Sequence, residues 1–253
     1  MTTASQIYDF INSFAPFDTA MSFDNVGILV GSGQTASNRV LVALDADAGV
    51  IEEAASLGAG IVVTHHPVIF RAIKSLPGDS IPFLAVKNNI TIISAHTNLD
   101  IAQVGVNASL AEAAGITADQ VFEQECAIFG HLDKPADSDD YARQLCSRLN
   151  LSGMRYTRGS GIVKNAAVAC GAGGDNVFLA ADLGADAIIT GEIKHHEIVY
   201  ANDHGIAVFD LGHFGSENLI VHKLAGMLSG QFPDTIFTES CSFSDKLHYI
   251  SGD

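Results

Sequence analysis

The chain has 253 residues, 47% of them apolar and 17% charged, so it has material for a core and is not a disordered polymer. Thirteen Lys and Arg against 29 Asp and Glu leave a formal charge of -16, which repels nucleic-acid phosphates and anionic lipid and argues against both as partners. No apolar run approaches the ~18 residues of a membrane span, and Met1 to Phe10 lacks the basic start and apolar stretch of a secretory signal. Cys126, Cys146, Cys170 and Cys241 are too scattered for a zinc ribbon or a disulfide framework, so the expectation is a cytoplasmic protein with free thiols.

Taken in chain order, Val40 to Leu44 reads as a strand, Gly49 to Leu57 as a helix, Ile61 to Thr64 as a strand and Ile90 to Ser94 as another. Runs that are apolar throughout, such as Ile61-Val62-Val63, suit a parallel sheet covered on both faces. His131 to Ser138 has loop composition, and a helix is expected over Asp139 to Leu149. Val40 to Thr64 can then be laid without a gap on Ala166 to Thr190, with nine of 25 pairs identical. A second match sets His96 on His213 and Asp100 on Glu217. Shared composition of any two β-α-β units is the alternative to duplication. The expected fold is α/β, with two similar three-layer lobes from an internal duplication, 1–124 and 125–253, and a C-terminal segment able to pack back on the first lobe.

Four of these strands run into segments rich in ligand or acid-base side chains, at the strand ends where parallel α/β sheets build sites. In Thr64-His65-His66-Pro67 the histidines are adjacent, so if the extended geometry persists they point in opposite directions and suit two neighbouring ions, or simply end a strand. Pro67 fixes the exit of the chain. His96 and Asp100 are four apart, although Asn98 and Asp100 also fit turn and cap roles. His213 and Glu217 repeat that spacing at an expected helix start near Gly215-Ser216, where an acidic residue also suits the helix dipole. The tract with Glu192, His195 and His196 reads equally as a solvated helix start. Gly171-Ala172-Gly173-Gly174 is either a tight turn or a phosphate cradle, and it matches neither a P-loop nor a dinucleotide fingerprint.

Together the imidazoles and carboxylates match the nitrogen and oxygen ligands of divalent metals such as iron, manganese or zinc. Two divalent ions facing Asp100 and Glu217 would keep a positive charge for a hydroxide and an anionic ligand. These motifs, with Asp24-Asn25-Val26-Gly27-Ile28-Leu29-Val30-Gly31, make the chain resemble the GTP cyclohydrolase I type 2 homologue family, also called the Nif-three-like dinuclear metal-binding family. The resemblance implies two ions held by His65, His66, Asp100, His213 and Glu217 in a cleft between the lobes, and a homohexameric ring. Phe23 stands where the family often has tryptophan, Glu192 stands where aspartate is frequent, and the large central insertion of some relatives is absent.

Two functions fit. One is a metal-dependent hydrolase acting on a small nucleotide-like or phosphorylated substrate through a metal-bridging hydroxide, with Asp100 and Glu217 bridging the ions. In it His96, Glu192 and His196 serve as proton shuttles or orienting partners, and the cyclohydrolase label enters through the family name alone. The other is a non-catalytic ring that binds or delivers metal or docks a partner.

Overall fold

The computed structural model describes residues 1–248, which form two compact units: Met1–Leu99 with Ile220–Ser244, and Asp100–Leu219 with the segment from Asp245. The chain begins with β1 (Thr2–Thr3), α1 (Ala4–Phe14), β2 (Gly27–Val30), β3 (Ala36–Ser37), β4 (Arg39–Ala43), α2 (Ala48–Leu57), β5 (Ile61–Thr64), α3 (Ile81–Lys87) and β6 (Thr91–Ser94). After α4 (Thr97–Ile101), which spans the division, come α5 (Val106–Ala114), β7 (Ile116–Phe122), β8 (Ala127–Asp137), α6 (Ser138–Arg148), β9 (Arg155–Tyr156) and β10 (Ile162–Ala169). The second unit ends with α7 (Val177–Asp182), β11 (Ala187–Thr190), α8 (His195–Asp203), β12 (Ala207–Asp210) and α9 (His213–Glu217). Then α10 (Leu219–Gln231) and β13 (Ile236–Glu239) return the chain to the first unit.

Local chemistry sets the element ends. Asp47 caps α2 by accepting from Val50 N–H at 2.9 Å, and Gly58, with φ +67°, stops it in the left-handed region. Asp137 caps α6 by accepting from the Asp139 and Asp140 N–H groups. Strands β4, β5 and β6 are buried almost throughout, as a sheet covered on both faces requires. One face carries Leu41, Ala43, Val62 and Ile92 into a cluster with Val50, Ile51 and Ala54 of α2 and Ala85 of α3. The second unit builds its core similarly, from Ala167, Ile188 and Val208 with Val177 and Ala180 of α7 and Ala201 of α8.

The five-stranded sheet has the order β13-β4-β5-β6-β2, and the six-stranded sheet β7-β8-β10-β11-β12-β9. Each has a parallel trio at its centre, β4-β5-β6 or β10-β11-β12, with an antiparallel edge strand, β2 or β9, beside the last member. The register repeats residue for residue: Val40 opposes Ile61 and Ala43 opposes Thr64, while Ala166 opposes Ala187 and Ala169 opposes Thr190. The gapless alignment of these segments thus reproduces the strand pairing, as a duplicated α/β unit should. Ser94 opposes Thr64 and Asp210 opposes Thr190, so the loop from β12 to His213 is one residue longer than the loop from β6 to His96.

Two features differ from the expectation. His131 to Ser138 is not a linker, because β8 extends to Asp137 and pairs with β7 on one side and β10 on the other, its polar end lying exposed. For the same reason the first compact unit closes at Leu99 and not near residue 125: a cut there would split the β7–β8 hairpin. No helix among the described residues is long and apolar enough to cross a membrane.

Candidate metal centre

In the first unit, β5 delivers His65 and His66. Their backbone N–H groups continue the ladder to Ala43 and Leu44 carbonyls at 3.3 and 2.9 Å, but the chain bends as it leaves Thr64. Thr64 Oγ1 pins the bend by donating to the His66 carbonyl at 2.8 Å, and it lies 2.8 Å from Ser94 Oγ. Extended geometry therefore does not persist, and the two imidazoles do not point apart: their centroids are 4.9 Å from each other, with His96 5.1 and 5.5 Å away. His65, His66 and His96 each offer a nitrogen, all within 4.8 Å of one another.

In the second unit, the short helix α9 places His213 and Glu217 at its two ends, with His213 Nε2 3.1 Å from Glu217 Oε2. Ser216 Oγ donates to the His213 carbonyl at 2.8 Å and accepts the Gly171 N–H at 3.0 Å, tying α9 to the turn after β10. That turn is tight, as one of the two readings of Gly171–Gly174 required: Gly171 has φ +55°, and a Cβ there would collide with Glu217 Oε1. Asp100 and Glu217 are buried, and Cys170 Sγ donates to Asp100 Oδ1 at 3.4 Å. Burial pushes the Cys170 thiol well above its ordinary value, and the Asp100 and Glu217 charges push it the same way. Cys126 responds to burial and to the same two charges, so both carboxylates act on one buried region.

Each of the four imidazoles spends Nδ1 on an acceptor. His65 Nδ1 donates to the Ala95 carbonyl at 2.9 Å, His66 to Asp45 at 2.9 Å, His96 to Asp24 at 2.9 Å and His213 to Glu192 at 2.7 Å. A carbonyl or ionised carboxylate accepts only, so each of these partners holds a proton on Nδ1, while His213 meets a second carboxylate, Glu217, at Nε2. This is the outer arrangement that metal-binding histidines require. The three imidazoles of the first unit, and His213 with the buried Asp100 and Glu217 of the second, are each donors of a kind that fits divalent metal. Glu192 lies where it can orient His213, whereas His196 is 70% exposed and faces Glu197 at 3.8 Å.

Asp45 was not singled out from the sequence, and Asp24 entered only as part of the Asp24–Gly31 motif, with no role of its own. Asp45 lies two residues past β4 and so stands near the carboxyl end of a parallel strand, a position that could have drawn attention to it. Asp24 sits far from His96 in the chain, and nothing local reveals the pairing.

Residues 2–246 match the family model described as Duf34/NIF3 (NGG1p interacting factor 3). The chain is 30% identical to a Clostridium perfringens protein called a GTP cyclohydrolase 1 type 2 homolog, over 97% of this chain and 99% of that one. Among solved structures it resembles a Staphylococcus aureus hypothetical protein with a TM-score of 0.88 at 25% identity, over 98% of this chain and 99% of that one. A Bacillus cereus protein related to NIF3 has the same fold, with a TM-score of 0.89 at 20% identity, over 99% of both chains.

Proposed function

Because the chain belongs to the Duf34/NIF3 family, we propose that it binds two divalent metal ions and uses them as a hydrolase on a small nucleotide-like or phosphorylated substrate. The observation that carries this reading is the common orientation of His65, His66, His96 and His213, each holding Nδ1 on an acceptor as metal-binding imidazoles do. His65, His66, Asp100, His213 and Glu217 would hold the ions. A pair of divalent ions supplies an activated water and a positive surface for an anionic substrate.

The remaining roles fall to the chain itself. Asp45 would orient His66 and Glu192 would orient His213 through their contacts to Nδ1. Gly171 keeps space beside Glu217 and His213 that any side chain would fill. In this reading the protein works in the cytoplasm as a homohexamer.

The first experiment is elemental analysis of the untagged protein beside His65→Ala and Glu217→Ala. About two ions per chain, falling in both variants, is the expected result. Failure to load iron, manganese or zinc would remove the reading. A panel of phosphoesters and nucleotides, run with wild type and Asp100→Ala, then tests catalysis. Equal background from both proteins on every substrate would favour a ring that only binds or delivers metal.

A further inference from the structure

The proposed ligand set leaves out Asp24, a carboxylate beside the histidine cluster of the first unit. It lies on the loop before β2 with no side-chain solvent exposure, and it accepts four hydrogen bonds. Oδ1 accepts the Asn25 N–H at 2.8 Å and His96 Nδ1 at 2.9 Å, while Oδ2 accepts the Thr97 N–H at 3.1 Å and the Thr97 hydroxyl at 2.6 Å. All four acceptor positions of a carboxylate are thereby used. Thr97 Oγ1 in turn accepts the Met21 N–H at 2.9 Å, which leaves its own hydrogen for Asp24.

The neighbours brace the same spot. Asn25 Nδ2 donates to the Ile69 carbonyl at 2.5 Å, and the Phe23 ring meets Phe70 edge-on at 6.3 Å. Phe70 stands 6.2 Å from the His96 ring. Three successive residues, Phe23, Asp24 and Asn25, thus hold His96 and the loop that walls it.

A carboxylate with four donors is ionised. Burial pushes its pKa up, but the hydrogen bonds it accepts from His96 and Thr97 hold it at about 2. Having no proton to give, it must receive one from His96 Nδ1, and the neutral ring then carries its lone pair on Nε2. With Nδ1 committed, Nε2 is the nitrogen that His96 offers to the cluster with His65 and His66.

We propose that Asp24 is a positioning residue that locks His96 as the Nδ1-protonated tautomer, so that Nε2 accepts a hydrogen bond from a water or substrate hydroxyl at the His65–His66 cluster. The inference rests on the proposed metal-binding hydrolase and adds a positioned hydrogen-bond acceptor to it. An amide cannot replace Asp24, because its NH2 would face either a backbone N–H or His96 Nδ1.

The test is magic-angle-spinning NMR of the metal-free, full-length protein labelled with 15N at histidine, at alkaline pH, with His96→Gln assigning the ring. Wild type is expected to show His96 protonated on Nδ1. Asp24→Asn is expected to shift it to Nε2, with metal uptake in a parallel sample at the wild-type level. Asn25→Ala, which loosens the Ile69 contact and leaves the carboxylate, is expected to keep the wild-type tautomer. An Nε2-protonated ring in wild type overturns the proposal, and that spectrum decides even where Asp24→Asn does not fold. An unchanged tautomer in Asp24→Asn, or an equal shift in Asn25→Ala, overturns it too. Absence of bound metal with the expected tautomer would instead reject the metal reading alone.

Discussion

A methyl group on Gly171 would overlap Glu217 Oε1 and lie 3.3 Å from His213 Nε2, in a backbone conformation of φ +55° that side chains rarely adopt. Gly171→Ala should therefore displace both proposed ligands without touching the sheet. Its expected effect is a ~10-fold or greater loss of metal affinity, the size seen when the surroundings of a ligand are disturbed, with little change in secondary structure. A metal titration followed by elemental analysis would show it, and unchanged affinity would mean that Glu217 and His213 do not ligate. At this scale the histidines and carboxylates themselves were legible, because each sits in a short motif after an apolar strand. Of their orienting partners, Glu192 stood among the candidates, whereas Asp45 carried no role and Asp24 meets His96 only through the fold. The opposed geometry expected of His65 and His66 failed because a strand's alternation ends where its ladder bends.

Among the elements, β13 is held to the first unit by more than its pairing with β4. Glu53 of α2 accepts the Ser240 hydroxyl at 2.5 Å, the Cys241 N–H at 3.0 Å and the Ser242 N–H at 3.2 Å, clasping the chain as it leaves β13. Burial raises the Glu53 pKa, yet these bonds outweigh it and hold the carboxyl below its usual 4.5. A lowered folded pKa stabilises the clasp above the unfolded value, and that contribution is lost as pH falls from about 4.5 through the folded value. Glu53→Gln must turn an NH2 towards one of these donors. Losing one charge-assisted bond costs about 1.4 kcal/mol, so amide protection at Cys241 and Ser242 should fall roughly tenfold at neutral pH. Hydrogen-exchange protection factors across the acid range check both points: wild type should lose protection on acidification, and the variant should start low and stay flat. Equal curves would show that the clasp is incidental. The strands and helices of the repeated segments were legible from periodicity, but β8 was not, because its exposed end carries Asp133, Lys134 and Pro135 and reads as a turn until its two partner strands are known.

For the molecule as a whole, the duplication was legible because nine identities in a gapless stretch record a shared strand register, while the unit boundary depended on pairings that sequence distance conceals. The repeated halves bring unlike groups: the first unit offers three imidazoles, and the second two buried carboxylates and one imidazole. The five residues proposed to hold two ions are drawn from both. An ion that binds only the folded chain stabilises it by about 2.7 kcal/mol at a concentration 100 times its dissociation constant. At about 2–4 °C per kcal/mol for a chain of this size, manganese or zinc should raise the melting temperature by roughly 5–11 °C, and a chelator should reverse it. His65→Ala and Glu217→Ala each remove a proposed ligand, one from each unit. If both units serve the same ions, each variant should abolish most of the shift and the double variant little more, since residues of one network are not additive. If each unit bound its own ion, each variant would keep about half the shift and the losses would add, and the shared dinuclear centre would have to be abandoned.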